Sequence, residues 1–181
     1  MKVILISGKS GSGKDQLSDY IKAKLEQRNN RVLTIHFGDP VKFFLQKYYN
    51  WNGIKDEHGR YLLQHLGTDT VRKHFPTYWG MLVSKFIAAT HEDWDYVIIP
   101  DLRFINELNA VCRYNKDVVT VRINRYDENH EPYINPALTE EQAAHISECE
   151  LDDYAADWFV VNDGSLGDLQ DAAIELINNI I

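Results

Sequence analysis

The sequence predicts an α/β fold in which five short parallel strands form one sheet with helices on both faces. Three observations carry that expectation. Five apolar runs, Lys2–Ser7, Arg31–His36, Tyr96–Pro100, Val118–Ile123 and Trp158–Val161, alternate with stretches whose apolar residues recur at helical spacing. The first run passes into a glycine-rich turn that opens a helix. Four of the five runs end in charged or polar residues, at the edge where open parallel sheets collect ligands. With 181 residues, mostly short connections, no repeat and no linker-like stretch, one domain over 1–181 is expected.

Each element has a local reason. Lys2–Ser7 is apolar through its middle, as a strand buried on both faces should be. A helix from Asp15 to about Arg28 carries Leu17, Ile21 and Leu25 on one side and ends at Asn29-Asn30. Arg31–His36 is short and β-branched, hence a strand. Phe37-Gly38-Asp39-Pro40 turns into a helix with Pro40 in its first turn and an apolar side of Val41, Phe44, Leu45 and Tyr48, broken at Trp51-Asn52-Gly53. Arg60 to about His74 is a further helical stretch, interrupted or capped near Gly67-Thr68-Asp69 and stopped by Pro76. Tyr78–His91 resumes the period with Leu82, Phe86 and Ile87.

Tyr96–Pro100 is a third strand ending in Asp101, and the next helix starts near Phe104 with Leu108 and Val111 on one side. Val118–Ile123 is the fourth strand. Residues 124–147 are polar, contain Pro132 and Pro136, and form the one segment expected to move. Trp158–Val161 is the fifth strand. Ser165 with Asp168 boxes the start of a last helix striped by Leu166, Leu169, Ala173, Leu176 and Ile180.

Gly8-Lys9-Ser10-Gly11-Ser12-Gly13-Lys14-Asp15 has the spacing of a P-loop between a strand and a helix. Its glycines let successive N–H groups curl around one anion. The helix N-terminus adds partial positive charge and Lys14 a full one, so a nucleoside triphosphate site is predicted. The last position usually holds Ser or Thr on Mg²⁺, and here it is Asp15. A carboxylate beside phosphates repels them unless a divalent cation intervenes, which makes Asp15 a candidate ligand, direct or through water. It also suits the helix dipole. Asp101, an acid after an apolar strand, is the matching candidate for Mg²⁺, or a cap for the following helix. Arg103, Arg122 and Arg125 follow strands three and four and would neutralise a transferring phosphoryl group, although any one of them also fits a surface salt bridge.

Nineteen Lys and Arg against 27 Asp and Glu, a net charge of −8, exclude a broad nucleic-acid face while allowing a local anion site. Cys112 and Cys149 match no metal spacing and point to a reducing compartment. A strand opening at Lys2 leaves no room for a signal peptide, and no apolar run nears the length of a membrane span. A cytoplasmic protein with no membrane partner is expected.

The loop with its terminal Asp15 resembles that of viral deoxynucleoside monophosphate kinases, and its Lys-Asp ending is similar to animal-type phosphomevalonate kinases. Leu63-Gln64-His65-Leu66-Gly67-Thr68-Asp69 resembles the Leu-Gly-Thr-Asp stretch of the deoxynucleotide kinases, and Ile99-Pro100-Asp101-Leu102-Arg103 their Pro-Asp-x-Arg. His145-Ile146-Ser147-Glu148 with Leu151 resembles a segment after their lid, and Asn162-Asp163-Gly164-Ser165-Leu166 the turn opening their last helix. The order and spacing of these matches run along nearly the whole chain.

The resemblance implies a P-loop, adenylate-kinase-like fold with a helical acceptor-binding insertion at about 39–91 and a short lid at about 124–147. It implies transfer of the γ-phosphate of ATP, with Mg²⁺, to a deoxynucleoside monophosphate. By position, Gly8, Lys9, Ser10, Gly11, Ser12, Gly13, Lys14, Asp15 and Gln16 would hold the ATP phosphates, with Asn162 and Gly164 beside the adenine. Asp15 and Asp101 would hold the metal, and Lys14, Asp101, Arg103 and Arg125 would serve the transfer. Gln64, Thr68, Asp69, Arg72 and Arg103 would form the acceptor site, joined by Asp39, Lys42 and Trp79.

The set on the insertion also reads as a helix surface, Asp39 as a cap before Pro40, and Tyr78 and Trp79 as core. His145 and Glu148 would clasp the lid to the cleft. Small nucleotides are the implied partners, and a homodimer is allowed for. The short insertion and a lid poor in arginine bear on base specificity. Two rivals remain: a phosphomevalonate-type kinase, and a P-loop switch protein, whose Asn-Lys-x-Asp base reader Asn115-Lys116-Asp117 misses in spacing.

Overall fold

Strand β1 (Lys2–Ser7) lies at the centre of a five-stranded, all-parallel sheet in which β3 (Tyr96–Leu102) and β4 (Val118–Arg125) flank it, with β2 (Val32–Thr34) and β5 (Trp158–Asn162) at the edges. The computed structural model describes residues 1–180; Ile181, the last residue of the expected domain, lies outside the described residues. The order β2-β3-β1-β4-β5 puts every crossover over a face of the sheet.

Alternation along β1 separates two cores. Ile4 and Ile6 face helices α1 (Lys14–Gln27) and α8 (Leu166–Ile180), where Leu17, Ile21, Leu25, Leu169, Ala173, Leu176 and Ile177 pack with them. Val3 and Leu5 face the other way, with Val83 and Ile87 of α4 (Tyr78–Ala89) and Leu108 and Val111 of α5 (Ile105–Tyr114). Each fully buried Leu or Ile contributes about 1.5–3 kcal/mol. A third cluster, Val41, Leu45, Trp51, Leu66 and Trp79, ties α2 (Asp39–Tyr48) to the rest of the insertion.

Several boundaries differ from expectation for identifiable reasons. β2 is shorter than Arg31–His36: it is an edge strand whose regular ladder with β3 runs over Val32, Leu33 and Thr34, with further backbone hydrogen bonds at Arg31 and Ile35 on either side. Asp101 lies within β3, and Arg122 and Arg125 lie within β4, since pairing with β1 and β5 carries both strands further. The stretch expected as one helix from Arg60 to His74 is α3 (Glu57–Gln64) running into a π-helical turn, His65–Arg72. There the Gly67 carbonyl accepts a 3.0 Å hydrogen bond from Trp79 Nε1.

On α4 the packed residues are Trp79, Gly80, Val83, Ser84 and Ile87, and Leu82 and Phe86 are exposed. Gly80 and Ser84 allow this because they let α5 come close, a Cβ on Gly80 standing 3.2 Å from the Glu107 Cα. Leu166, expected in the α8 stripe, is exposed as the first residue of its helix. The Ser165–Asp168 box is present, the Ser165 amide donating to Asp168 at 2.7 Å. Residues 124–147 contain the short helix α6 (Glu140–Ala143), and α7 (Ile146–Cys149) closes the segment. Among the described residues no helix is long and apolar enough to cross a membrane.

Candidate active site

Register brings the strand ends together: Ser7, the last residue of β1, pairs with Leu102 on one side and Arg122 on the other. The P-loop therefore leaves the sheet between the ends of β3 and β4. Two glycines are sterically required. A Cβ on Gly8 (φ 154°) would stand 2.5 Å from the Ile123 carbonyl oxygen, and one on Gly13 (φ 99°) 2.8 Å from Asn162 Nδ2. Gly13 in its left-handed conformation caps α1 and aims the helix amides back into the loop.

Lys14 is buried, and its ammonium donates to the Gly8 and Lys9 carbonyls at 2.8 Å each, folded across the mouth of the loop. Burial, then the Arg103 guanidinium, lower its pKa to about 8. Asp15 is exposed one position on, 3.6 Å from His36 Nε2, while His36 Nδ1 lies 3.4 Å from Asp39. At these ion-pair distances the two carboxylates raise the imidazole to about 9, and His36 in turn holds Asp15 below its ordinary range. Burial works against ionisation of Asp39, but His36 and Lys42, the latter at 2.8 Å, more than offset it.

Asp101 accepts backbone hydrogen bonds from Phe37 (2.9 Å) and Gly38 (3.1 Å), so one carboxylate fixes the turn from β2 into α2. Burial raises its pKa, with His36 and the two amides pulling the other way. A carboxylate has about four lone-pair sites, so two amide bonds leave further acceptor capacity on Asp101. Arg103 donates to the Ser147 carbonyl at 3.0 Å and to the Glu148 carboxylate, whose other oxygen accepts from the Ser10 amide at 2.8 Å. Glu148 thus bridges the P-loop and Arg103. His145 bonds within its own turn, capping α7 through Ser147.

The three arginines do not converge as expected. Arg122 turns to the Leu151 carbonyl and Asp152, both at 2.8 Å, and its buried guanidinium anchors the chain after α7. Lys9 reaches the same segment through the Glu148 carbonyl (2.8 Å) and Asp152 (2.5 Å). Arg125 donates to the Gly11 carbonyl at 2.9 Å and stacks 4.0 Å from the Tyr133 ring. Asn135 Nδ2 donates to Ser10 Oγ at 3.0 Å, and Asn162 Nδ2 to the Ser12 carbonyl at 2.9 Å. The polar segment therefore lies over the tip of the P-loop. Gln16 is partly buried in the first turn of α1, and Gly164 packs against Asp168 in the cap of α8.

Beside the loop is a cavity of about 670 Å³, walled by Gln64, Thr68, Arg72 and Trp79 from the insertion and by Asp101, Arg103, Glu107 and Glu148 from the sheet side. Asp69 is exposed outside these walls, and Asp39 and Lys42 pair with each other beyond them. Arg72 meets Glu107 at 2.8 Å and lies 4.0 Å over the Phe104 ring. Trp79, 2% exposed, serves core and wall together.

Sequence reasoning missed His36, Glu107, Tyr133 and Asn135. His36, at the end of an expected strand beside Asp39, was the one with a local signal; the other three acquire partners far along the chain.

The loop fits a triphosphate on two observations. Ser12 Oγ is buried in it with no hydrogen-bond partner, and the Ser10 amide already holds an anion, the Glu148 carboxylate. Among the described residues no group of three or more His, Cys, Asp or Glu could by itself hold a metal ion.

These features define a class, the P-loop kinase fold. The APS kinase of Mycobacterium tuberculosis in complex with AMPPNP and APS superposes with a TM-score of 0.54 at 12% identity, covering 98% of this chain and 97% of that one. Shikimate kinase of Bacteroides thetaiotaomicron superposes at 0.55 with 16% identity, covering 99% and 98%. The model of the deoxynucleotide monophosphate kinase family matches residues 51–173, more than half of the chain, and the chain belongs to that family. Deoxynucleotide monophosphate kinase of Enterobacteria phage T4 is 30% identical over 121 residues, 65% of this chain. The match spans 45% of the length of that relative.

Proposed function

We propose that this protein transfers the γ-phosphate of ATP to a deoxynucleoside monophosphate, with Mg²⁺ as the metal. The observation that carries the reading is the placement of the 670 Å³ cavity beside the P-loop: its wall residue Glu148 accepts from the Ser10 amide of the loop and, with its other oxygen, from Arg103 of the same wall. Family membership supports the reaction class. In this reading the P-loop amides and Ser12 Oγ hold the triphosphate, and Lys14 leaves the Gly8 and Lys9 carbonyls to follow the transferred group.

Bound Mg²⁺ would supply charge neutralisation across the terminal phosphates, with Asp15 and Asp101 orienting it. Arg103 stabilises the equatorial oxygens, and Arg125 holds the loop tip under the segment 124–147, which acts as the lid. The insertion 39–91 seats the acceptor: Arg72 takes its phosphate, and Gln64 and Thr68 face its base and sugar. The nucleophile is a phosphate oxygen that is already ionised, so positioning and charge do the catalysis and no general base is needed. Two free cysteines support a reducing, cytoplasmic setting.

A panel of deoxynucleoside monophosphates and phosphomevalonate, with ATP and Mg²⁺ and ADP release as readout, tests this. ADP release stimulated by at least one deoxynucleotide is expected. Stimulation by phosphomevalonate alone, or by no acceptor, rules the reading out.

A further inference from the structure

Glu148 sits at the junction of the donor loop and the acceptor cavity, with its side chain only 9% exposed. One oxygen takes the Ser10 amide at 2.8 Å and the other takes the Arg103 guanidinium. A main-chain N–H of the P-loop and an arginine at the adjoining strand end are partners suited to a phosphate oxygen. We propose that the Glu148 carboxylate is a built-in stand-in for a substrate phosphate, which seats in the unliganded loop and is displaced when the triphosphate binds. This rests on the reading of the P-loop as a nucleotide site.

The surrounding contacts leave the side chain free to move while its backbone stays in place. Lys9 holds the Glu148 carbonyl at 2.8 Å, Arg103 the Ser147 carbonyl at 3.0 Å, and Arg122 the Leu151 carbonyl and Asp152 at 2.8 Å. None of these uses the Glu148 carboxylate. Two anions cannot share one amide and one guanidinium without strong repulsion, so ATP and Glu148 compete. Displacement frees Arg103 beside the acceptor cavity, which couples filling of the donor loop to readiness of the acceptor site.

A clasp that only braces the fold predicts the opposite sign: its loss loosens the loop and weakens nucleotide binding. Calorimetric titration of the full chain with ATP and Mg²⁺ separates the two. Glu148→Gln keeps the shape and loses the charge, and should bind ATP about tenfold more tightly, the factor that 1.4 kcal/mol represents. Glu148→Asp keeps the charge but is one methylene short of reaching both partners, and should tighten binding by less. If the Gln variant does not fold, the sign of the Asp variant decides. Unchanged or weaker ATP binding in a folded variant, with a wild type that binds ATP, overturns this proposal alone. A wild type that binds no ATP overturns the nucleotide-site reading and this proposal with it.

Discussion

Arg72 and Glu107 form a 2.8 Å ion pair in the wall of the cavity beside the P-loop, with 15% and 2% of their side chains exposed. Burial pushes the Glu107 carboxyl up to about 7, against the pull of Arg72. Its second oxygen accepts the Arg103 and Phe104 amides at 3.0 and 3.1 Å, so one carboxylate holds Arg72 and starts α5. Removing it strands a buried cation and two amides. Glu107→Ala is expected to cost about 3–5 kcal/mol in denaturant unfolding. A loss below about 1 kcal/mol would show that water replaces the carboxylate there.

Lys14 spends its ammonium on two carbonyls of its own loop, which water can satisfy in its absence, so its role in the fold is small. Lys14→Ala should lower kcat by about 10²–10³, the scale of losing a positioned charge at a developing anion. Thermal melting should stay close to wild type. Retained turnover removes Lys14 from the transfer.

His36 gives stability a defined pH dependence. Its folded pKa, about 9, lies above the ordinary 6.5, so the ion pairs with Asp15 and Asp39 are complete below about pH 6.5 and fade as pH rises through about 9. Partial exposure discounts the contribution to about 1 kcal/mol. Unfolding midpoints measured without Mg²⁺ should fall over that window in the wild type, and His36→Asn should flatten the fall. A parallel decline in both proteins assigns the effect to another group.

Asp15 lies exposed at the mouth of the P-loop, where Ser or Thr is usual. Asp15→Ala should raise the Mg²⁺ concentration for half-maximal activity by about tenfold, the factor for about 1.4 kcal/mol. A Mg²⁺ titration that superposes on wild type takes Asp15 out of the metal site.

What could be read along the chain was whatever a few neighbouring residues decide. The glycine spacing at 8–13 sets the loop, the apolar runs set five strands, and Ser165 with Asp168 sets the start of α8. Of the residues in the Leu-Gly-Thr-Asp and Pro-Asp-x-Arg stretches, Gln64, Thr68, Asp101 and Arg103 line one cavity, and Asp69 lies outside it. Periodicity also marks which residues are apolar, but not which face a neighbour covers, so Val83 and not Leu82 packs on α5.

Tertiary structure alone decided the partners. Glu148 meets Ser10 across 138 positions, Arg125 meets Gly11 across 114, and Arg122 turns to the chain after α7 although its register sets it beside Ser7, where the P-loop begins. Charge and hydrogen bonding fall steeply with distance and carry no sequence address. Which opposite charge each buried group finds was settled by the strand order β2-β3-β1-β4-β5, which returns distant segments to the ends of three adjacent strands.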